Sequence, residues 1–503
     1  MILPFFVIIP LGAAFLISLL GKRIRSFADF LANLGTLSLL LLSLYSIKLV
    51  NVQQTLIYKV GGWVPPVGIC MVLDGLTSFM LVTVNLVSCL IAVYSIGYME
   101  KYTDKYRFYT LFMLMLAGMN GIIITGDLFN LFVFLEIASI ASYALVAFGT
   151  EAEELEASFK YAVMGSVASS FILLGIALIY SYTSTLNMAD ISLVLSQAQG
   201  RGLLISFVTV LFLAGFGLKA ALVPFHAWLP DAHPSAPAPI SAMLSGVLIK
   251  VLGVYAIMRI FFNIIGINPI FLSVLMFLGV ISMLAGVFLA IGQWDLKRLL
   301  AYHSISQIGY VVLGIGLGTP LGILGGLFHL FNHSVFKSLL FLNSGAVEYS
   351  LGTRDLQKMG GLSEKMPVTA NTNLIASMSI AGIPPFNGFW SKLLIILACI
   401  QANIQSGEVI YLIYAICAVV ASVLTLASFM KVQKYAFFGK LNEKWKNIKE
   451  VPLTMRFSMV VLAVICLISG LLLTPLFRSF LESGVNVLLL GNGYKDVVFG
   501  ALR

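Results

Sequence analysis

Long apolar stretches recur from one end of this 503-residue chain to the other. Each is about eighteen residues or more, long enough to cross the hydrocarbon core of a bilayer as an α-helix. Only 10% of the residues are charged, whereas a soluble protein carries about a quarter. The short alternating segments of a membrane β-barrel are absent from the sequence. The sequence therefore predicts an all-α, polytopic membrane protein.

Fourteen membrane spans account for these stretches, and we number them in chain order. Their predicted bounds are 2–20, 28–49, 72–96, 108–125, 128–148, 158–183, 203–228, 237–262, 269–291, 299–317, 321–346, 370–402, 409–432 and 454–477. The first span is followed by no cleavage site of the small-residue type, which predicts a retained helix and not a signal peptide.

The thirty Lys and Arg residues fall mostly in alternate loops. Nineteen follow odd-numbered spans, namely Lys22, Arg23, Arg25, Lys101, Lys105, Arg107, Lys160, Lys297, Arg298, Arg354, Lys358, Lys365 and those from Lys431 to Arg456. Four follow even-numbered spans (Lys48, Lys59, Arg201, Arg259), and three lie in the C-terminal tail (Arg478, Lys495, Arg503). The positive-inside rule then predicts cytoplasmic odd loops and both termini on the outer side. The net charge of +9 thus indicates topology and gives no reason to expect nucleic acid.

The four remaining lysines lie near the middles of spans and not at their ends: Lys219, Lys250, Lys337 and Lys392. One carboxylate, Glu136, lies inside span five. A charge at the bilayer centre costs about 2.5–3.5 kcal/mol or more, so such residues are typically functional. A single membrane lysine can also be structural or reach the interface, but four near the middles of four spans are poorly explained that way. Glu136 is the natural partner for one lysine, and separating such a pair would favour proton release.

Two spans look interrupted, each beside one of these lysines. Pro224 follows Lys219 in span seven, and the pair Pro384–Pro385 precedes Lys392 in span twelve. Broken helices at membrane depth are tolerated where the freed backbone lines a cavity or is buried in protein. Paired interruptions point to the transport site of proteins built from repeats. Because the two spans are five apart, the chain direction reverses between them, which predicts an inverted repeat.

Histidines add a polar stripe to span eleven. His329, His333 and Lys337 are spaced by four residues and therefore share one helix face. A third metal ligand is not apparent and an ammonium lies alongside, so a hydrated proton path is favoured over a metal site. His226 and His233, where span seven leaves the membrane, are either surface residues at that interface or the mouth of an access path.

The sequence predicts no cofactor, metal or catalytic centre in this chain. The five cysteines are scattered singly, without the C-x-x-C spacing of iron–sulfur or zinc sites. They are Cys70, Cys89, Cys399, Cys417 and Cys466. No phosphate-binding glycine loop follows a strand, and no convincing strand is predicted.

Three segments resemble the antiporter-like subunits shared by Mrp sodium/proton antiporters, membrane-bound hydrogenases and respiratory complex I. They are "KAALVPFHAWLPDAHPSAPAPISAMLSGVLIKVLGVYAI" (219–257), "DLKRLLAYHSISQIGY" (295–310) and "GLFHLFNHSVFKSLLFL" (326–342). The resemblance covers essentially the whole fourteen-span core. It implies four units: N-terminal helices (1–107), a first inverted repeat of spans four to eight (108–262), a second of spans nine to thirteen (263–435), and a loop, last span and tail (436–503).

The resemblance also implies a hydrophilic axis along the membrane midplane. On that axis Glu136 would modulate Lys219, Lys250 would relay the proton, and Lys392 would connect to the other side. His329, His333 and Lys337 would bridge the two halves. Gln307, where complex I relatives often carry histidine, and Lys392 favour the Mrp and hydrogenase branches. Within these, the chain looks closest to the D-type member of Mrp antiporters and the H-type member of membrane-bound hydrogenases.

The expected function is therefore proton translocation by one subunit of a multisubunit complex in the plasma membrane. Its expected partners are other membrane subunits, lipid and H⁺, with Na⁺ as the alternative ion. Lysines favour protons because an ammonium repels Na⁺ and cannot ligate it. Three alternatives remain: a sodium-translocating subunit, a haem- or quinone-linked redox subunit of the complex I type, and a scaffold that transports nothing.

Overall fold

A computed structural model describes residues 2–24, 26–102, 104–197 and 202–502. Arg25, Arg201 and Arg503, which enter the charge count above, lie outside these residues. Spans one to six form the helices Phe5–Leu20, Phe27–Gln53, Gly75–Tyr98, Lys105–Ile124, Leu128–Val146 and Ala152–Thr183. Span seven comprises Leu203–Lys219 and Leu229–Ser235, and span eight is Ala238–Ile264. Spans nine to fourteen are Pro269–Ile291, Leu296–Gly316, Pro320–Leu351, Pro367–Ala381 with Asn387–Ser406, Val409–Phe437 and Leu453–Leu473.

The all-α, polytopic prediction is confirmed, but the number of spans stays a prediction. Within the described ranges, eleven helices are long and apolar enough to cross a membrane. Phe5–Leu20 and Leu203–Lys219 are apolar but shorter, with 16 and 17 residues. Pro320–Leu351 has 32 residues, yet its polar stripe keeps it out of that set.

Several short elements were not predicted. Strands Leu56–Lys59 and Cys70–Leu73 pair antiparallel, with Leu56 opposite Leu73, so the expectation of no strand was wrong. Four further α-helices among the described residues lie outside the predicted bounds: Leu229–Ser235, which extends span seven beyond residue 228, and Met188–Gln197, Ser479–Leu489 and Tyr494–Leu502. Four-residue strands are too short to show a reliable alternating pattern, which explains why the sequence did not reveal them.

Aspartates at the helix starts fix where three long helices begin. Asp74, Asp127 and Asp295 each accept a hydrogen bond from a backbone N–H three residues on, at 2.8–2.9 Å. These bonds satisfy donors that the first turn of a helix leaves free. These three carboxylates thus serve the ends of helices, whereas Glu136 lies in the middle of a span.

Span eight occupies the centre of the molecule. The most apolar window of Ala238–Ile264 is fully buried, and the helix packs against spans three, four, seven and eleven. Span eleven in turn packs against spans ten, twelve and fourteen. Polar groups on these two helices therefore lie in protein and away from lipid.

Candidate functional site

Lys219 is the last residue of the first helix of span seven. The break begins directly after it, where Ala221 has a φ of 56°, and not at Pro224 as the sequence suggested. An alanine in that left-handed conformation costs about 1–2 kcal/mol. The Lys219 side chain is 4% exposed, and its Nζ donates to Ser139 Oγ at 3.0 Å and to Tyr143 Oη at 3.4 Å.

Glu136 lies on the same face of span five as the two groups that hold Lys219, three and seven residues before them. Its carboxylate accepts a hydrogen bond from Ser169 of span six. No Lys219 nitrogen–Glu136 oxygen distance of 4.0 Å or less occurs, so the two side chains form no direct ion pair, and the role of Glu136 as the partner of Lys219 stays a prediction. Ser139 therefore lies between the carboxylate and the ammonium along the helix.

Aromatic rings enclose the break in span seven. Trp228 donates from its indole nitrogen to the Leu218 carbonyl at 3.0 Å and stacks on Tyr161 with 4.2 Å between ring centroids. Tyr161 also meets Tyr143 edge-on at 4.5 Å. Buried aromatic pairs of this kind stabilise by about 0.5–1.5 kcal/mol beyond their burial. The chain after Lys219 is thus held in one conformation by rings from spans five and six.

Gly253 of span eight permits the break to pack closely. A Cβ at this position would lie 2.5 Å from the Ala220 backbone nitrogen. Gly253→Val is expected to destabilise the protein by about 1–3 kcal/mol through overpacking and to slow transport by displacing Lys219. The loss of stability is measured by heating the detergent-solubilised protein and following the fraction that stays monodisperse. Gly12→Val, where no atom lies within 4 Å, is the control. Equal melting of the two variants would contradict the prediction.

Lys250 is held by its own helix. Its Nζ donates to the Ser245 and Gly246 carbonyls, both at 2.6 Å, and it is 1% exposed. Both carbonyls belong to the π-helical turn Leu244–Leu248, and Lys250 begins a second π-helical stretch, Lys250–Tyr255. π-Helical turns inside α-helices occur frequently at functional sites.

Span eleven approaches span eight closely beside Lys250. A Cβ on Gly246 would lie 2.1 Å from Ser338 Oγ, and Ser338 follows Lys337 directly. Lys337 and His333 are fully buried, and no described group bonds the Lys337 ammonium or either His333 ring nitrogen. An unsatisfied buried polar group costs about 1–3 kcal/mol, so such groups are rare in folded proteins and stand out here. The stripe of span eleven therefore faces the protein interior.

His329 and Lys392 both lie near the break in span twelve. His329 Nδ1 lies 2.9 Å from Ser391 Oγ, and its Nε2 lies 3.2 Å from Gln307 Oε1. Lys392 Nζ donates to the Ile380 carbonyl at 2.7 Å. Tyr310 lies between the two groups, 4.7 Å from the ammonium and 5.4 Å from the imidazole, measured to its ring centroid.

A cavity of about 230 Å³ opens beside Lys392, along the interrupted stretch of span twelve. Its lining includes Ala381 and Gly382 from the break and Ser422 from span thirteen. Ser422 Oγ lies 3.2 Å from the Lys392 ammonium. The Lys392 side chain therefore lies at the edge of this cavity.

Two basic residues assigned to loops are buried in the protein. Arg259 is 2% exposed, lies inside span eight and makes a bidentate ion pair with Asp74 at 2.8 and 3.0 Å. Lys297 is 1% exposed and pairs with Glu348 at 2.8 Å. Of the two histidines left open, His233 is fully buried, which excludes a surface position, while His226 is half-buried.

The structure thus brings the predicted site residues into two groups around span eight. Sequence reasoning missed the hydroxyl groups that hold them: Ser139, Tyr143, Ser169, Tyr310, Ser391 and Ser422. Serine and tyrosine are common in membrane helices, so their identity alone carries little signal. For Ser139 and Tyr143 the available signal was their spacing of three and seven residues from Glu136, which places them on one helix face. The other four lie on other helices or directly beside Lys392, so the sequence offered no such signal for them.

A family model described as "NADH:quinone oxidoreductase/Mrp antiporter, TM" matches residues 125–425, and a second, "NADH-Ubiquinone oxidoreductase (complex I), chain 5 N-terminus", matches residues 63–109. The D-type member of the Na⁺/H⁺ antiporter of Alkalihalophilus pseudofirmus is 37% identical over 96% of this chain and 97% of its own length. The chain therefore belongs to the antiporter-like membrane subunits of the Mrp and complex I family.

Solved structures show the same fold. A chain of the Mrp complex from Dietzia sp. DQ12-45-1b superposes with a TM-score of 0.90 and 30% identity, covering 99% of both chains. A chain of the membrane-bound sulfane sulfur reductase, an archaeal respiratory membrane complex, gives 0.88 and 31%, also with 99% of both chains covered. The family resemblance read from the sequence is confirmed.

Proposed function

We propose that this chain moves protons through the membrane as one subunit of a larger ion-translocating complex. The proton path would run through Glu136 and Lys219, then Lys250, and then the stripe of His329, His333 and Lys337 to Lys392. Both solved relatives named above belong to membrane complexes, which supports other membrane subunits as partners. We place the complex in the plasma membrane, with the odd-numbered loops in the cytoplasm.

One observation carries the proposal. The four buried lysines contact hydroxyls, carbonyls and rings, and no described carboxylate oxygen lies within 4.0 Å of their nitrogens. Arg259 and Lys297, by contrast, are buried with carboxylate partners. A permanently charged ammonium buried without a counter-ion is costly, whereas an amine that gains and loses a proton is not permanently charged. The four buried lysines that lack a carboxylate partner are therefore suited to carry protons.

The same contacts favour H⁺ over Na⁺ as the ion moved by this chain. Sodium requires several oxygen ligands, and each buried lysine places a positive charge where such an ion would have to bind. Sodium movement by the complex would then use a neighbouring subunit and be coupled to proton movement here.

Inverted vesicles that contain the intact complex test this function. With Lys250→Ala, the initial rate of proton movement, followed by a pH-sensitive dye, is expected to fall by about tenfold, equal to about 1.4 kcal/mol of barrier. Uptake of ²²Na⁺ is measured in the same vesicles, and Lys365→Ala, an exposed lysine, is the control. Loss of proton movement alone places the proton path here, and loss of both shows coupling. An unchanged rate would favour the alternative in which this chain is a scaffold that transports nothing.

A further inference from the structure

Both ring nitrogens of His329 are hydrogen-bonded, each by an uncharged side chain from a different helix. Nε2 lies 3.2 Å from Gln307 Oε1 of span ten, and Nδ1 lies 2.9 Å from Ser391 Oγ of span twelve. All three side chains are fully buried. His333, one turn further along span eleven, has neither ring nitrogen bonded to a described group. The two partners of His329 therefore determine how this ring holds and releases a proton.

The Gln307 amide faces His329 with its oxygen, while its nitrogen is left over. An amide oxygen only accepts, so this orientation requires a proton on His329 Nε2. Gln307 Nε2 is buried and bonds to no described group, which is costly for an amide N–H. A half-turn of the amide about its last side-chain bond would bring the NH₂ to the ring instead. Gln307 therefore has a hydrogen bond to offer His329 with or without the Nε2 proton.

Ser391 has the same property at the other ring nitrogen. Its hydroxyl lies 3.3 Å from the Gly388 carbonyl and 3.5 Å from the Asn387 carbonyl, both at the start of the second helix of span twelve. When the hydroxyl donates to a carbonyl, its oxygen accepts from Nδ1–H, and when it donates to Nδ1, that nitrogen carries no proton. Each nitrogen of the ring thus has a partner whose hydrogen bond can reverse.

The titratable groups around His329 do not replace these partners. The ring centroid lies 6.4 Å from that of His333 on the same helix and 5.4 Å from that of Tyr310 on span ten. Lys392 of span twelve and Lys250 of span eight are the charges that act on the ring, and their ammonium groups are bonded to backbone carbonyls. A change in the proton on this ring is therefore met first by its two hydrogen-bonded partners.

We propose that Gln307 is a positioning residue of the proton path, whose amide reverses as His329 Nε2 gains and loses its proton. With the proton present, Nε2–H donates to Gln307 Oε1. After that proton has passed to water of the axis, the Gln307 NH₂ donates to the bare nitrogen. Gln307 itself neither takes up nor releases a proton. This role rests on the proposed function and adds a requirement to it, namely a side chain at residue 307 that both donates and accepts.

Two substitutions at this one position test the role in inverted vesicles that contain the intact complex. Gln307→Met keeps the length of the side chain but cannot donate, so the initial rate of proton movement is expected to fall by about tenfold. Gln307→His, whose ring both donates and accepts, is expected to keep most of the native rate. An unchanged rate in Gln307→Met, or an equal loss in both variants, would overturn the role.

Gln433→Met is the matched control. Gln433 is also buried, at the end of span thirteen, and its amide donates to Asn373 and Ser377 at 2.8 and 2.9 Å. Its substitution removes buried hydrogen bonds too, but transport per assembled complex should stay at the native level. Lys250→Ala is measured alongside. Loss there with an unchanged Gln307→Met overturns the role of Gln307 alone, whereas unchanged rates in both overturn the proposed function.

Infrared spectroscopy of the native complex keeps the test decisive if Gln307→Met fails to assemble. With ¹³C-labelled glutamine, spectra are compared between the pH at which transport is full and the pH at which it has stopped. One glutamine carbonyl band is expected to move to higher frequency when His329 loses its proton, because Oε1 is then no longer an acceptor. Gln307→His lacks that glutamine and should lack the band. Identical pH-difference spectra of the native complex and Gln307→His would overturn the reversal of the amide.

Discussion

Vesicles that contain the complex with Lys219→Ala are expected to show no proton movement above the level of vesicles without the complex. Lys219 is buried at a helix break, held by Ser139 and Tyr143, and it is the amine nearest to the Glu136 face of span five. Removing it leaves hydroxyl groups, which bind protons far too weakly to serve as stations at neutral pH. The dye-based rate measures the loss, and native gel electrophoresis shows that assembly is intact.

Two variants sharpen this prediction. Lys219→Arg keeps the positive charge but holds its proton permanently, so transport should be lost here as well. Lys48→Ala removes an exposed lysine of span two and should transport normally. Activity retained by Lys219→Arg would show that only the charge matters, and activity retained by Lys219→Ala would refute its assignment to the proton path.

Asp74→Asn is expected to lower the free energy of unfolding by about 3–5 kcal/mol, because it leaves the Arg259 guanidinium buried without its counter-ion. Asparagine keeps a side-chain oxygen for the Thr77 N–H, so the cap of span three is retained and the loss reports the charge. The Arg259 guanidinium carbon also lies 5.0 Å from the ring centroid of Tyr494. The C-terminal helix, Tyr494–Leu502, should therefore be the first to unfold. Thermal unfolding in detergent measures the effect.

The control for this prediction is Asp496→Asn, an exposed carboxylate in the same C-terminal helix, which should change little. Combining Asp74→Asn with Arg259→Met removes both charges and should restore much of the lost stability. If Asp74→Asn melted at the same temperature as the native chain, the Asp74–Arg259 ion pair would not stabilise the fold.

Much of the architecture was predictable because hydrophobicity fixes which segments enter a membrane. Lys219, Lys250, Lys337 and Lys392 stood out for the same reason, since a charge inside an apolar run is rare. Two broken spans were also predicted, although the first break begins at Lys219 and not at Pro224.

The pairing of charges was not predictable, because partners lie far apart in the chain. Arg259 and Asp74 are 185 residues apart in the chain. In the sequence alone, Arg259 near the end of span eight therefore cannot be distinguished from a basic loop residue. Lys297 likewise owes its burial to Glu348, on a neighbouring helix. Contacts between helices, and the hydroxyls that separate Glu136 from Lys219, follow from three-dimensional packing that local patterns do not encode. The proposed roles of the site residues stay predictions.

The hydrogen bonds from Lys250 to the carbonyls of its own helix determine how the charge of this residue acts on the two halves of the subunit. Because both acceptors move with span eight, the charge on this residue can change without a rearrangement of neighbouring helices. The change is then felt through space: two unit charges about 10 Å apart, at a dielectric constant of about 20, interact by about 1.7 kcal/mol. That alters a proton-binding equilibrium more than tenfold. Under the proposed function, coupling between the two halves therefore acts through this electrostatic interaction and needs no large movement of helices.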